Sequence, residues 1–116
     1  MLDDEEIFAM KPGKYLNEKV SEKVMDGVYE DYSGDISSAW KVVKRLTEMN
    51  WRIDIMSSAD LEHVSGVKMV DGTPVSLNFL ADDVKCDNLP EAICKAALLI
   101  VNNSKKIDEI VSRLSS

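Results

Sequence analysis

The one histidine of this 116-residue chain, His63, closes the polar stretch Ser57-Ser58-Ala59-Asp60-Leu61-Glu62-His63. A hydroxyl nucleophile, an imidazole base and a carboxylate are the parts of an acyl-transfer triad, and any such triad here would rest on His63. The stretch joins two predicted strands, and connecting loops often carry binding groups. Nothing in it sets a serine on a strained turn or supplies oxyanion donors, so a solvated loop is preferred over a hydrolase centred on His63. Asp60, Glu62 and His63 are also metal donors, yet their spacing matches neither a helical i, i+4 pair nor a Cys-x-x-Cys knuckle. The paired acids Asp82-Asp83 lack ligand spacing in the same way. Gly13, Gly27, Gly34, Gly66 and Gly72 never combine into a phosphate-cradling loop. No catalytic residue, metal ligand or cofactor is expected, and the chain is read as a non-enzyme.

Two cysteines do not make a disulfide framework. Cys94 lies in an apolar helical run, where a small buried thiol is the ordinary reading, and Cys86 falls in a polar loop. A Cys86–Cys94 bridge is disfavoured, and a reducing cytoplasm fits better. The acidic start Met1-Leu2-Asp3-Asp4-Glu5-Glu6 is unlike a signal peptide, and the apolar run from Ala96 to Val101 is too short to cross a bilayer. A cytoplasmic protein with no membrane contact is therefore expected. The formal net charge of -7 argues against direct binding of nucleic-acid phosphates. The acidic runs, Asp3 to Glu6 and Glu30-Asp31, are read as solvated surface, since basic residues are interspersed elsewhere.

The elements that must position these groups follow from periodicity. Leu2 to Met10 makes a helical turn capped by Asp3, and Lys11-Pro12-Gly13 breaks it. A helix from about Lys14 to Met25 stacks Leu16, Val20 and Val24, and Asp26-Gly27 ends it. Asp35 caps a second helix whose apolar stripe is Ile36, Ala39, Trp40, Val43, Leu46 and Met49, so Trp40 is assigned to the core. The period then becomes two. Trp51, Ile53 and Ile55 alternate with Arg52 and Asp54; Val67 and Met69 mark a second strand; Val75, Leu77 and Phe79 mark a third. Asp71-Gly72 is a tight-turn signal between the last two. Asn88, Pro90 and Glu91 open a final helix with the pattern of a capping box, and from Ala92 to Val101 only Lys95 is polar. Ile107, Ile110, Val111 and Leu114 form an amphipathic stripe beyond it.

The fold class expected is α+β. A three-stranded antiparallel meander packs with helices in the order α-α-β-β-β-α, with an extra C-terminal helical segment at 103–116. One domain spans 1–116, long enough to bury roughly two-thirds of its unfolded surface. Two surfaces are singled out. A polar sheet face carries Arg52, Asp54, Lys68, Ser76 and Asn78, with Ser58 and His63 close by, and Arg52, Ser58, His63 and Lys68 are its candidate ligand contacts. Leu98, Ile107, Ile110, Val111 and Leu114 are candidate partner contacts, because a helix apolar on nearly every side must be covered on nearly every side.

Several segments together resemble the phage ABA sandwich domain, a family of small proteins of bacteriophages and prophages. Lys11-Pro12-Gly13 with Asn17-Glu18-Lys19-Val20-Ser21-Glu22-Lys23-Val24-Met25 is similar to the family's opening helix. Tyr32-Ser33-Gly34-Asp35-Ile36-Ser37-Ser38-Ala39-Trp40, then Val42-Val43, resembles its second. Trp51 opens the strand as it does there, and Pro90 to Leu99 resembles the closing helix. The likeness runs from Lys11 to Val101 in the family's order. It implies a sheet between helical layers and a setting in the bacterial host cytoplasm, and it brings no catalytic residues. The expected role is an accessory protein acting by protein–protein binding, either as a homo-oligomer (a dimer) or with a host or phage protein. A binder of a nucleotide signal in phage counter-defence is the alternative.

Overall fold

A computed structural model of the chain describes residues 3–59, 61–75 and 84–115. Three helices come first: α1 (Asp4–Ala9), α2 (Lys14–Lys23) and α3 (Ile36–Glu48). Strands β1 (Trp51–Ser57), β2 (Glu62–Val70), β3 (Thr73–Val75) and β4 (Val84–Cys86) follow, and α4 (Leu89–Asn102) and α5 (Ser104–Ser115) close the chain. This is the expected α+β architecture with its antiparallel β1-β2-β3 meander.

Local chemistry accounts for most of the boundaries. Asp3 accepts a hydrogen bond from the Glu6 N–H (2.8 Å) and caps α1. The α2 helix ends at Val24, after which Asp26 and Gly27 take positive φ values of 54° and 86°. Asp35 caps α3 through the Ser37 N–H (3.3 Å). Asp71 (φ 51°) and Gly72 (φ 79°) are both left-handed, as a two-residue turn matched to strand twist requires, and Val70 therefore pairs with Thr73.

The last helix begins at Asn88 as expected, but without a capping box. The Asn88 amide donates instead to the Ser33 carbonyl (3.2 Å), and Glu91 accepts from Lys95 (2.6 Å). A further correction is β4. Its residues lie in a segment expected to be a polar loop, yet Val84, Lys85 and Cys86 pair antiparallel with Val64, His63 and Glu62. The expected third strand is described only as far as Val75; Ser76, Leu77, Asn78 and Phe79 lie outside the described residues, as do Asp82 and Asp83.

The core is organised around α4. Every residue from Ala92 to Ile100 is buried, and α4 packs against β2 and β4 on one side and α1, α2, α3 and α5 on the others. Gly66 marks the closest approach to the sheet: a Cβ there would lie 3.0 Å from Ile100 Cδ1 and 3.3 Å from the Trp51 ring. The α3 helix packs on β1 beside α4. Among the described residues the helices packed on the sheet are α3, against β1, and α4, against β2 and β4.

Trp40 departs from its expected place. It is 48% exposed, with Ile36 at 41%, while Ser38, Ala39, Val42 and Leu46 form the buried face of α3. Tyr32, in what reads as a polar loop, is instead fully buried and donates to the Val28 carbonyl (2.5 Å). These placements predict opposite outcomes in chemical denaturation. Leu98→Ala should cost about 2–5 kcal/mol, whereas Trp40→Ser should change stability by about 0.5 kcal/mol or less.

Candidate functional site

Register decides which candidate residues can meet. In β1–β2, Trp51 pairs with Lys68, Arg52 with Val67, Asp54 with Ser65 and Met56 with His63. Arg52 and His63 therefore share one face of the sheet, separated by four residues along β1, or ~13 Å. Lys68 stands on the other face with Trp51. Its ammonium lies 5.4 Å from the Trp51 ring centroid and donates to the Met49 carbonyl (3.1 Å). The expected common polar face of Arg52 and Lys68 is thus split by the pleat, because residues directly opposed across a ladder project to the same side.

His63 is a strand residue, not a loop residue. It sits half-buried in β2 between Met56 of β1 and Lys85 of β4. Ser58 is exposed and closes the β1–β2 turn: its hydroxyl donates to the Leu61 carbonyl (2.9 Å) and accepts from the Leu61 N–H (3.1 Å). Arg52 makes two hydrogen bonds of 3.0 Å to the Asp54 carboxylate on the same strand. The four candidate ligand residues therefore do not converge on one site.

The candidate partner residues also divide. Leu98 is 2% exposed and Ile107 3%, and both belong to the core. Ile110 and Val111 are partly buried against that core, and Leu114 lies in α5 with its side chain outside the described residues. The apolar helix predicted to need covering is covered within this one chain, so Leu98 and Ile107 are corrected from surface to interior.

Two buried polar groupings go beyond what the sequence patterns predict. Asn17, on the buried face of α2, accepts from the Ser33 N–H (2.8 Å) and hydroxyl (2.6 Å) and donates to Asp31 (2.9 Å). The Ser33 hydroxyl in turn accepts from the Gly13 N–H (2.9 Å). Together with the Asn88 bond, this joins the α2 N-terminus, the 28–35 loop and the start of α4. In the second grouping, Lys95 reaches Glu91 and the Phe8 carbonyl (3.0 Å), tying α1 to α4. The signal available in the sequence is a polar residue at a core position of an apolar stripe: Asn17 beside Leu16 and Val20, and Lys95 within its own run.

Cys86 and Cys94 are both free and buried, Cys86 within β4 rather than in a loop. Burial, reinforced by Glu91, pushes the Cys86 thiol up to about 11. Burial, reinforced by Asp31 and Glu91, pushes Cys94 up to about 12. Both stay neutral near pH 7, which makes them poor nucleophiles. Among the described residues no three of His, Cys, Asp and Glu come together as a metal site. A shallow depression of about 300 Å³ lined by Met25, Lys41, Lys44, Arg45 and Glu48 is open to solvent. Two of its cations are already matched, Arg45 to Asp26 (2.7 Å) and Lys41 to Glu30 (2.9 Å).

With this geometry in place, the sequence profile of the Phage ABA sandwich domain matches residues 5–98, which is most of the chain. The chain belongs to the phage ABA sandwich domain family. It is accordingly a phage-associated protein of unknown role. No curated protein and no solved structure matches it. The family match takes in α1 to α3, the sheet and most of α4, and α5 lies beyond it. The residues that join the matched segments of this ABA sandwich protein are Gly13, Asn17, Ser33 and Asn88, which bond to one another while Asn17 also donates to Asp31.

Two outcomes follow for this family member. Asn17→Ala should cost about 1–3 kcal/mol, since it strands the Ser33 donors in the interior; urea denaturation would measure it. The thiols set an alkaline limit. Above about pH 9 an unfolded thiol releases its proton while the folded one keeps it, so the unfolded state binds fewer protons and stability falls as pH rises. Melting temperature should be insensitive to the thiols below pH 9 and decline between about 9 and 11, and Cys86→Ala/Cys94→Ala should flatten that decline.

Proposed function

We propose that this protein is a non-enzymatic accessory protein that acts by binding another polypeptide. The observation that carries the reading is the open edge of β1. Seven residues long and free of proline and glycine, β1 pairs with β2 on one side, and among the described residues no strand pairs with its other side. An edge of this length is a template for adding a strand from another chain. Apolar surface accompanies it, since Met56 is 63% exposed in β1 and Trp40 and Ile36 are exposed on α3, the helix above β1.

Polypeptide binding is favoured over a nucleotide pocket because Lys68 is separated from Arg52 and His63. A hydrolase centred on His63 has little support, since His63 is a strand residue paired with Met56 and Lys85 and Ser58 is engaged in its own turn. Light scattering together with affinity capture from an infected host lysate tests the reading: self-association or a stoichiometric protein partner is expected. A chain that stays monomeric at all concentrations, captures no protein and gains thermal stability from millimolar nucleotide would overturn it in favour of small-molecule binding.

A further inference from the structure

The open edge specifies its own occupant. At one end of the β1–β2 ladder the Met69 N–H donates to the Asn50 carbonyl (2.8 Å), and at the other the Ser58 N–H donates to the Leu61 carbonyl (3.0 Å). In an antiparallel ladder, hydrogen-bonded pairs alternate with non-bonded ones. The even-numbered residues of β1 therefore turn their backbone groups toward β2. Trp51, Ile53, Ile55 and Ser57 turn theirs to the open side, with their side chains on the helix-covered face.

The geometry points to a second copy of this chain as the strand added there, paired antiparallel with β1 about a two-fold axis through Ile53. The inference rests on the polypeptide-binding reading and names its partner. Three constraints select the register. Outward backbone groups must meet outward ones, so the axis passes through a residue rather than between residues. An axis through Arg52 opposes two guanidinium groups, and one through Asp54 opposes two carboxylates. An axis through Ile53 sets Arg52 of each copy opposite Asp54 of the other, in non-hydrogen-bonded pairs where side chains approach most closely. The same register sets Trp51 opposite Ile55 and continues the core-facing side of the sheet from one copy into the next.

Both charged side chains are available for this exchange, being 51% and 44% exposed. The helix above the edge is suited to it as well. At 3.6 residues per turn, Ile36, Trp40 and Val43 lie on the flank of α3 away from Lys41 and Arg45, which are tied to Glu30 and Asp26. Pairing β1 with β1 brings the two α3 helices side by side across the axis, which gives the exposed Ile36 and Trp40 side chains a surface to meet.

A charge exchange in the full chain tests the register. Arg52→Asp sets like carboxylates across the axis, Asp54→Arg sets like cations there, and mixing the two variants restores opposite charges at both positions. Sedimentation over a concentration series should show a wild-type dimer, each variant alone dimerising roughly tenfold more weakly or worse, and the equimolar mixture regaining the dimer. Both sites are exposed, so circular dichroism should be unchanged. Dimers that persist in both single variants, or a mixture that fails to recover, overturn the β1 register and leave polypeptide binding through another face intact. A wild-type chain monomeric at every concentration overturns the self-pairing, and only the further absence of any captured partner would sink the broader reading.

Discussion

The constraint on which this structure depends is that α4 has almost no side fit for water. Nine consecutive residues, Ala92 to Ile100, are buried, so the helix must be enclosed around its circumference rather than laid on a surface. The sheet supplies one wall, and it approaches closely because β2 carries Gly66 where Ile100 meets it. The α1, α2, α3 and α5 helices supply the rest. The single cation in that run adds a condition of its own. A buried ammonium is costly unless paired and hydrogen-bonded, and Lys95 has both Glu91 one turn earlier and the carbonyl of Phe8. The position of α1 is thus set by a charge as well as by Ile7, and Asp4 adds to it by accepting from Asn102 and Asn103 at the far end of α4.

A second interior requirement shapes the opposite end. The loop between α2 and α3 carries Tyr32 and Ser33 into the core, and a loop taken from water must find partners for its backbone. Asn17 provides them from the helix side and Asn88 from the α4 side. Several residues on which the family likeness rests (Gly13, Asn17, Ser33) are therefore explained by assembly alone. The Asn17 carbonyl oxygen and the Ser33 hydroxyl are spent inward, so this junction offers little to a ligand.

The helices, the β1–β2–β3 meander and the Asp71-Gly72 turn are legible in the sequence because caps, left-handed turn residues and hydrophobic period act locally. What is not legible depends on neighbours. In α3 two apolar stripes overlap, one through Ile36, Trp40 and Val43 and one through Ala39, Val42 and Leu46, and only packing against β1 and α4 selects the second. Charge alone sends Lys68 to a solvent face. Register places it with Trp51, and at the strand end its long stem still lets the ammonium reach the Met49 carbonyl. The β4 strand is three residues long, too short for any period to show, so Cys86 and His63 both look like loop residues from the sequence. The candidate site is less legible than the fold because residue types alone suggest it, whereas the pleat sorts residues by parity.

The chain's acidity bears on where it can meet a copy of itself. A formal charge of -7 gives two copies a net repulsion. The segment Trp51 to Ser57 holds one cation and one anion and is locally neutral, with those charges already joined on the strand. Self-pairing there adds no net charge at the contact and turns each intrachain Arg52–Asp54 pair into half of an alternating four-charge cluster. A contact through the acidic start of α1, where Asp4, Glu5 and Glu6 follow one another, would oppose like charges instead. Electrostatics thus permits contact at the same edge that backbone geometry leaves open, whereas the start of α1 opposes it.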